Sequence, residues 1–250
     1  MKWVRYKYQD KISYGFVMGD IIMEIEGLPY ENSKQTGNTV PFAKAQLLSP
    51  CEPSKIVCIG LNYLDHVKEM GHEVPKEPTL FLKPPTTVIG PRESIIYPDL
   101  TQNLHYEGEL AVVIKTQCKA VKKDKANDYV FGYTCANDVT ARDIQKNDLQ
   151  WTRGKSFDTF CPLGPYIETD FDSTKAQIKT LLNGKTVQSS NIDQLVFDVP
   201  AIIEYISAVM TLLPGDVILT GTSSGVGPMQ KGDKVVVEIE GLGSLENSVK

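Results

Sequence analysis

Glu107 and Glu109 stand two residues apart in His105-Tyr106-Glu107-Gly108-Glu109-Leu110-Ala111-Val112-Val113-Ile114. Side chains alternate along a strand, so both carboxylates point to one face of an otherwise apolar segment. They repel there unless a cation lies between them. An all-oxygen carboxylate set selects a hard divalent ion such as Mg²⁺, Mn²⁺ or Ca²⁺. Asp138, in Ala136-Asn137-Asp138-Val139-Thr140, follows an apolar run at 130–135. It offers a third carboxylate at the carboxyl end of a strand, where sheets often hold ligands. Three carboxylates from two strands leave about half of an octahedral shell for water and substrate oxygens. The competing reading puts Glu-x-Glu on a solvated strand face, and spacing alone does not choose.

His66 and Glu69, three apart on a short predicted helix, share a face. A carboxylate beside an imidazole orients it and raises its basicity, as a general base for water requires. An ordinary surface contact has the same spacing. Lys155, between Gly154 and Ser156 in a turn-rich stretch, offers a point positive charge for a substrate carboxylate or a developing enolate; a solvated lysine is the alternative. Gly221-Thr222-Ser223-Ser224-Gly225-Val226-Gly227-Pro228 follows a strand and can present backbone N–H groups to an anion. It has neither the Gly-Lys-Ser/Thr of a phosphate loop nor the spacing of a dinucleotide fingerprint. His105 is expected to pack beside the carboxylates, and His72 lies in a polar segment at 72–78.

The elements that must position these groups are mostly strands. Residues 4–8, 14–18 and 21–25 alternate as a small β meander, a polar stretch spans 27–39, and the prolines at 50 and 53 place a boundary near residue 50. Beyond it, a buried strand ends at Gly60, Asn62 is a candidate cap for a helix over 63–70, and strands are expected at 79–82, 110–114, 130–136 and 165–168. A helical stretch at 140–147 and a helix at 200–210 beginning at Pro200 accompany them. Asn183-Gly184 marks a hairpin between 177–182 and 186–190, and the end alternates again at 216–220 and 233–239. Strands without a regular β-α repeat make the chain α+β, with a small N-terminal β-rich segment (1–50) and a catalytic body (51–250).

Composition narrows the partners. The 250 residues carry 26 Lys and Arg against 31 Asp and Glu, a formal net charge of −5, without a long basic run. Nucleic acid and anionic membranes are therefore not expected partners, whereas a small anion is compatible. No apolar run approaches a membrane span or a secretory signal, so a cytoplasmic protein is expected. Five scattered cysteines without a Cys-x-x-Cys pair read as buried free thiols.

Taken jointly, several segments resemble the fumarylacetoacetate hydrolase family. The carriers are Gly60-Leu61-Asn62-Tyr63 with His66 and Glu69, Phe81-Leu82-Lys83-Pro84, His105-Tyr106-Glu107-Gly108-Glu109-Leu110, Asn137-Asp138-Val139-Thr140-Ala141-Arg142-Asp143-Ile144-Gln145, Gly154-Lys155-Ser156-Phe157-Asp158 and Leu219-Thr220-Gly221-Thr222. They cover roughly residues 54–245, in the branch of acylpyruvate hydrolases, oxaloacetate decarboxylases and 2-hydroxyhepta-2,4-diene-1,7-dioate isomerases. The resemblance implies a mixed β-sheet roll, a homodimer and a small 2-oxo acid substrate. It implies Glu107, Glu109 and Asp138 as ligands of Mg²⁺ or Mn²⁺, with His66 and Glu69 as a water-activating dyad on a lid. Gln145 and Lys155 would contact the oxo acid and Thr222 a substrate carboxylate; Arg142 and, less directly, Lys83 carry over beside them. Ser223 departs from the Gly-Thr-Pro common among relatives. The expected reaction is hydrolytic C–C cleavage of a β-diketo acid through an enolate. Decarboxylation or tautomerisation through the same enolate is the alternative, and a non-catalytic metal- or ligand-binding protein is the reading of another class.

Overall fold

The expected strands form, and most of them join one sheet. The computed structural model describes residues 1–250 except 70 and 72, so His72 and the expected end of the helix at residue 70 lie outside the described residues. Among the described residues, twelve strands make a mixed sheet. Its path runs Lys34–Pro41, Ile21–Glu26, Lys11–Met18, Lys2–Tyr8, Cys161–Glu168, Val130–Asn137, Gly108–Ile114, Val217–Thr222, Ile56–Gly60, Thr79–Lys83. Neighbours on this path are antiparallel except Val217–Thr222 and Ile56–Gly60, which run parallel. Gln46–Leu47 and Val88–Ile89 attach at its sides. A five-stranded sheet (Lys185–Asn191, Gln177–Leu182, Lys234–Ile239, Gly243–Val249, Ser94–Ile95) and a three-stranded one (Thr140–Ala141, Leu104–Tyr106, Gly227–Pro228) complete the α+β architecture.

The N-terminal strands extend the large sheet, because Lys2–Tyr8 pairs with Cys161–Glu168, Lys2 opposite Glu168 and Trp3 opposite Ile167. The central Gly108–Ile114 strand is buried at every position, as a strand covered on both faces must be. Leu110, Val112 and Ile114 pack with Ile202, Ile203 and Ile206 of the Val199–Val209 helix, while Ala111 and Val113 pack with Cys58, Leu163 and Val217 on the other face. Each such aliphatic side chain contributes about 1.5–3 kcal/mol of burial. All five cysteines are free and buried.

Local chemistry explains where elements start and stop. Asp198 caps the Val199–Val209 helix by accepting from the Ala201 N–H at 2.9 Å, so the helix opens at Val199, one residue before the expected Pro200. Asn183 and Gly184 take φ values of 51° and 81°, the left-handed pair that a tight hairpin needs. Two expectations are corrected. Asn62 caps nothing: its amide donates to the Thr220 and Phe197 carbonyls and its oxygen accepts from Phe197 N–H, so it ties two distant segments together. The expected helix over 140–147 begins only at Arg142, because Thr140–Ala141 pairs with Leu104–Tyr106 as a strand. The polar stretch at 27–39 contains much of the largely exposed strand Lys34–Pro41.

Gly132 lies where a side chain has no room: a Cβ there would meet the Glu168 carbonyl oxygen at 2.5 Å and Ile167 Cγ2 at 2.7 Å. Gly132→Ala is therefore expected to destabilise the protein by about 1–3 kcal/mol in urea unfolding. An unchanged midpoint would show that this strand crossing is looser than described.

Candidate metal and active site

The chain changes sheets at Glu107. Leu104–Tyr106 belongs to the three-stranded sheet and Gly108–Ile114 to the large one, so Glu107 sits at a break and not within a continuous strand. The two glutamates converge for another reason than strand alternation. The Glu107 N–H donates to Asn137 Oδ1 at 2.9 Å and its carbonyl accepts from Asp138 N–H at 2.8 Å. That exchange locks the break against the end of Val130–Asn137. One carboxylate oxygen each from Glu107, Glu109 and Asp138 then lies within 4.8 Å of the others, and all three side chains are buried.

Three cations from other segments surround them. Lys155 Nζ donates to Glu107 Oε2 at 2.8 Å and to Asp138 Oδ2 at 2.6 Å. Lys83 Nζ pairs with Asp138 Oδ1 and donates to the Val139 carbonyl at 3.1 Å. Arg142 Nη2 pairs with Glu107 Oε1, and its Nη1 donates to Gln145 Oε1 at 2.5 Å. Gly154 permits this packing: a Cβ there would lie 2.9 Å from the Gln145 backbone nitrogen, so glycine lets the Thr152–Lys155 turn press against Arg142–Asn147.

Electrostatics separates the two glutamates. Burial is the largest influence on Glu107 and opposes its ionisation, but Lys155 and Arg142 outweigh it and hold the carboxyl well below its usual range. Burial likewise opposes a charged Lys155, and Asp138 and Glu107 overcome it and raise its pKa. Glu109 has no cationic partner among the described residues. Its one hydrogen bond comes from the Gly221 N–H to Oε2 at 2.7 Å. Burial, then Asp138 and Glu107, push its carboxyl well above 4.5.

A cavity of about 280 Å³ opens over these groups, lined by the three carboxylates with His66, Arg142, Gln145, Lys155 and Thr222, and walled by Ile59, Leu61, Phe81 and Trp151. A larger hollow of about 540 Å³ beside Phe42 and Pro91 holds none of these groups. His66 is buried, and its Nδ1 lies 3.0 Å from Glu69 Oε2. The fold thus gathers Glu107, Glu109, Asp138, His66, Lys155, Arg142, Gln145 and Thr222 around one cavity, with Glu69 behind His66. The Thr222 hydroxyl is already engaged, donating to the Gly108 carbonyl at 3.0 Å and accepting from Gln188 Nε2 at 2.9 Å. A contact from that hydroxyl to a substrate carboxylate requires exchange of the Gly108 bond.

Residues 55–250 match the family model described as fumarylacetoacetate (FAA) hydrolase C-terminal, and residues 1–50 match the model described as Rv2993c-like, N-terminal. The chain belongs to the fumarylacetoacetate hydrolase family. It is 44% identical over 223 residues to human mitochondrial oxaloacetate tautomerase FAHD2B, covering 84% of this chain and 71% of that protein. The crystal structure of 5-carboxymethyl-2-hydroxymuconate delta-isomerase from Mycobacterium smegmatis superposes with a TM-score of 0.94 at 44% identity, covering 100% of this chain and 99% of that one. Maleylpyruvate hydrolase from Sphingobium sp. SYK-6, in complex with manganese(II) ion and pyruvate, gives a TM-score of 0.83 at 30% identity over 100% of this chain and 98% of that one.

The donor set of this fumarylacetoacetate hydrolase family member fits a hard divalent cation. Three buried carboxylates supply oxygen ligands, and Glu109 lacks a counter-charge that an ion would provide. Residues that sequence spacing undervalued complete the site. Lys83 is fully buried on Asp138, signalled only by a lysine in an apolar strand before Pro84. Gln188 bridges Gly108 N–H, Thr222 and the Ser223 carbonyl, with no local signal at all.

Because the folded-state pKa of Glu109 lies above its unfolded value, its proton stabilises the metal-free fold fully at pH below about 4.5, and this stabilisation is lost as pH rises through the folded value. A divalent ion selects the ionised form. Thermal stabilisation by Mn²⁺ is therefore expected to grow as pH rises above about 4.5. Glu109→Gln should raise the metal-free melting temperature at neutral pH and remove the Mn²⁺ response. A pH-independent Mn²⁺ shift, or one retained in Glu109→Gln, would contradict this.

Proposed function

We propose that the protein is a divalent-metal-dependent enzyme of small 2-oxo acids that works through an enolate. The observation that carries this reading is the convergence of the Glu107-Glu109-Asp138 set, Lys155 and the His66-Glu69 pair on one small cavity. Held by Glu107, Glu109 and Asp138, a Mg²⁺ or Mn²⁺ ion would supply Lewis-acid polarisation of an oxo acid.

The chain's own residues supply the rest. Three carboxylates against Lys83, Arg142 and Lys155 make the inner site formally neutral, so a dication leaves an excess of two positive charges suited to an anionic oxo acid. Lys155 lies between two carboxylates in a dry site, where its ammonium favours charge developing on an enolate oxygen. Gln145, held by Arg142, presents its amide N–H groups at the cavity wall. His66, with Nδ1 turned to Glu69, has Nε2 left for moving a proton to or from substrate carbon or water. Phe81 and Trp151, edge to face at 5.4 Å, exclude water on the apolar side.

Proton transfer at the enolate carbon needs only this machinery, and relatives at 44% identity include an oxaloacetate tautomerase and a delta-isomerase. Tautomerisation or isomerisation of a dicarboxylic 2-oxo acid is therefore the reading we favour. Hydrolysis of a β-diketo acid is the second, in which His66 activates water for attack on the distal carbonyl; the manganese- and pyruvate-bound maleylpyruvate hydrolase at 30% identity supports it.

A panel of oxaloacetate, an acylpyruvate and fumarylpyruvate, followed by enol absorbance, pyruvate and CO₂ release, separates the reactions. EDTA should abolish turnover and Mn²⁺ restore it. His66→Gln should lower kcat by about 10²- to 10⁴-fold while leaving Mn²⁺ affinity unchanged. Full turnover after chelation, or an unimpaired His66→Gln variant, would defeat the proposal.

A further inference from the structure

The glycine-rich segment at 221–225 does present its N–H groups to anions, and the anions are the protein's own. Gly221 donates to Glu109, and Gly225 donates to Glu69 Oε1 at 3.0 Å. Gly225 is itself a fixed point. The Tyr106 hydroxyl donates to its carbonyl at 3.0 Å. Its φ of 93°, and the Val187 carbonyl oxygen 2.3 Å from where a Cβ would sit, leave room for glycine alone.

Against this point sits the six-residue helix Leu64–Glu69, too short to be stable on its own helical bonds. Asp65 and Glu69, four apart, share a face, and both reach the 221–225 segment, Asp65 at Ser224 and Glu69 at Gly225. Asp65 Oδ1 accepts from the His66 N–H at 2.7 Å, while Oδ2 accepts from the hydroxyls of Ser190 at 3.0 Å and Ser224 at 3.2 Å. Asp65 does not line the cavity.

We propose that Asp65 is a positioning residue: with Glu69 it latches the helix onto Ser190, Ser224 and Gly225, and this latch fixes the His66 imidazole over the carboxylates. The inference rests on the reading of His66 and Glu69 as the proton-transfer pair. Glu69 serves twice, one oxygen orienting His66 and the other holding the helix, so slippage of the helix would also break the Glu69–His66 contact. Asp65 opposes that slippage through a second pair of bonds. A purely helix-stabilising role for an acid in the first turn would leave Ser190 and Ser224 without influence.

Three variants decide it: Asp65→Ala, Asp65→Asn and the double change Ser190→Ala/Ser224→Ala. Amide exchange in a peptide spanning 64–69 should accelerate about tenfold in Asp65→Ala and in the double serine variant, with the rest of the chain unchanged. On the substrate that the wild type turns over, kcat should fall about ten- to a hundredfold in both, with Mn²⁺ affinity retained. KM should change much less than kcat, because a displaced imidazole impairs proton transfer and leaves the groups that bind the substrate in place. Asp65→Asn, which keeps an acceptor for a serine hydroxyl, should recover part of each effect. Unchanged exchange and kcat in the double serine variant would overturn the latch. Accelerated exchange with kcat unchanged, or with KM rather than kcat altered, would overturn its role in fixing His66. Wild-type inactivity on every 2-oxo acid would instead remove the proton-transfer reading, and the exchange data would still decide the latch.

Discussion

Six ionisable side chains are buried together in this protein, and none of them is tolerable there charged and alone. Removing one partner of a buried pair costs about 3–5 kcal/mol, because the charge left behind is neither solvated nor matched. Lys83 answers Asp138, Arg142 answers Glu107, and Lys155 bridges both. Among the described residues, Glu109 has no cation paired directly with it. Glu107 and Asp138 are thus met by ion pairs and Glu109 is not, and an oxygen-ligated dication would supply the missing contact.

Much of the architecture serves this arrangement. Glu107 reaches the cluster because the chain leaves one sheet and enters another at that residue, and Asn137 and Asp138 hold the break through backbone hydrogen bonds. Glu109 reaches it from a strand covered on both faces, which keeps water away and strengthens each charge–charge interaction. Lys83 comes from the edge strand, Arg142 and Lys155 from two short helices pressed together at Gly154. The glycine-rich segment links the two halves of the chemistry, one N–H on Glu109 and another on Glu69. A disturbance in that segment therefore reaches both the ion-binding carboxylates and the imidazole beside them.

The chemistry was more legible in the sequence than the geometry. Glu107, Glu109 and Asp138 stood out because carboxylates among apolar residues need a reason, and the α+β class followed from alternating strands with few helices. Strand alternation pairs the two glutamates only along a continuous strand, however, and the break at Glu107 depends on Asn137, thirty residues away in sequence. Asn62 has the residue type of a helix cap, yet its side chain is claimed by Thr220 and Phe197, which no local pattern reveals. Lys83 and Gln188 were undervalued for the same reason: their partners are set by tertiary pairing. Asp65 has the residue type of any acid in a first helical turn, and only the approach of Ser190 and Ser224 gives it a task.

The claim on which the account rests is that the buried carboxylates form one divalent-ion site. The most direct measurement is anomalous scattering from crystals grown at neutral pH and soaked in Mn²⁺. The account predicts a single strong peak within coordination distance of Glu107, Glu109 and Asp138 together, absent from Glu109→Gln crystals treated in the same way. A wild-type crystal with no peak there, or with Mn²⁺ bound only elsewhere, would contradict it.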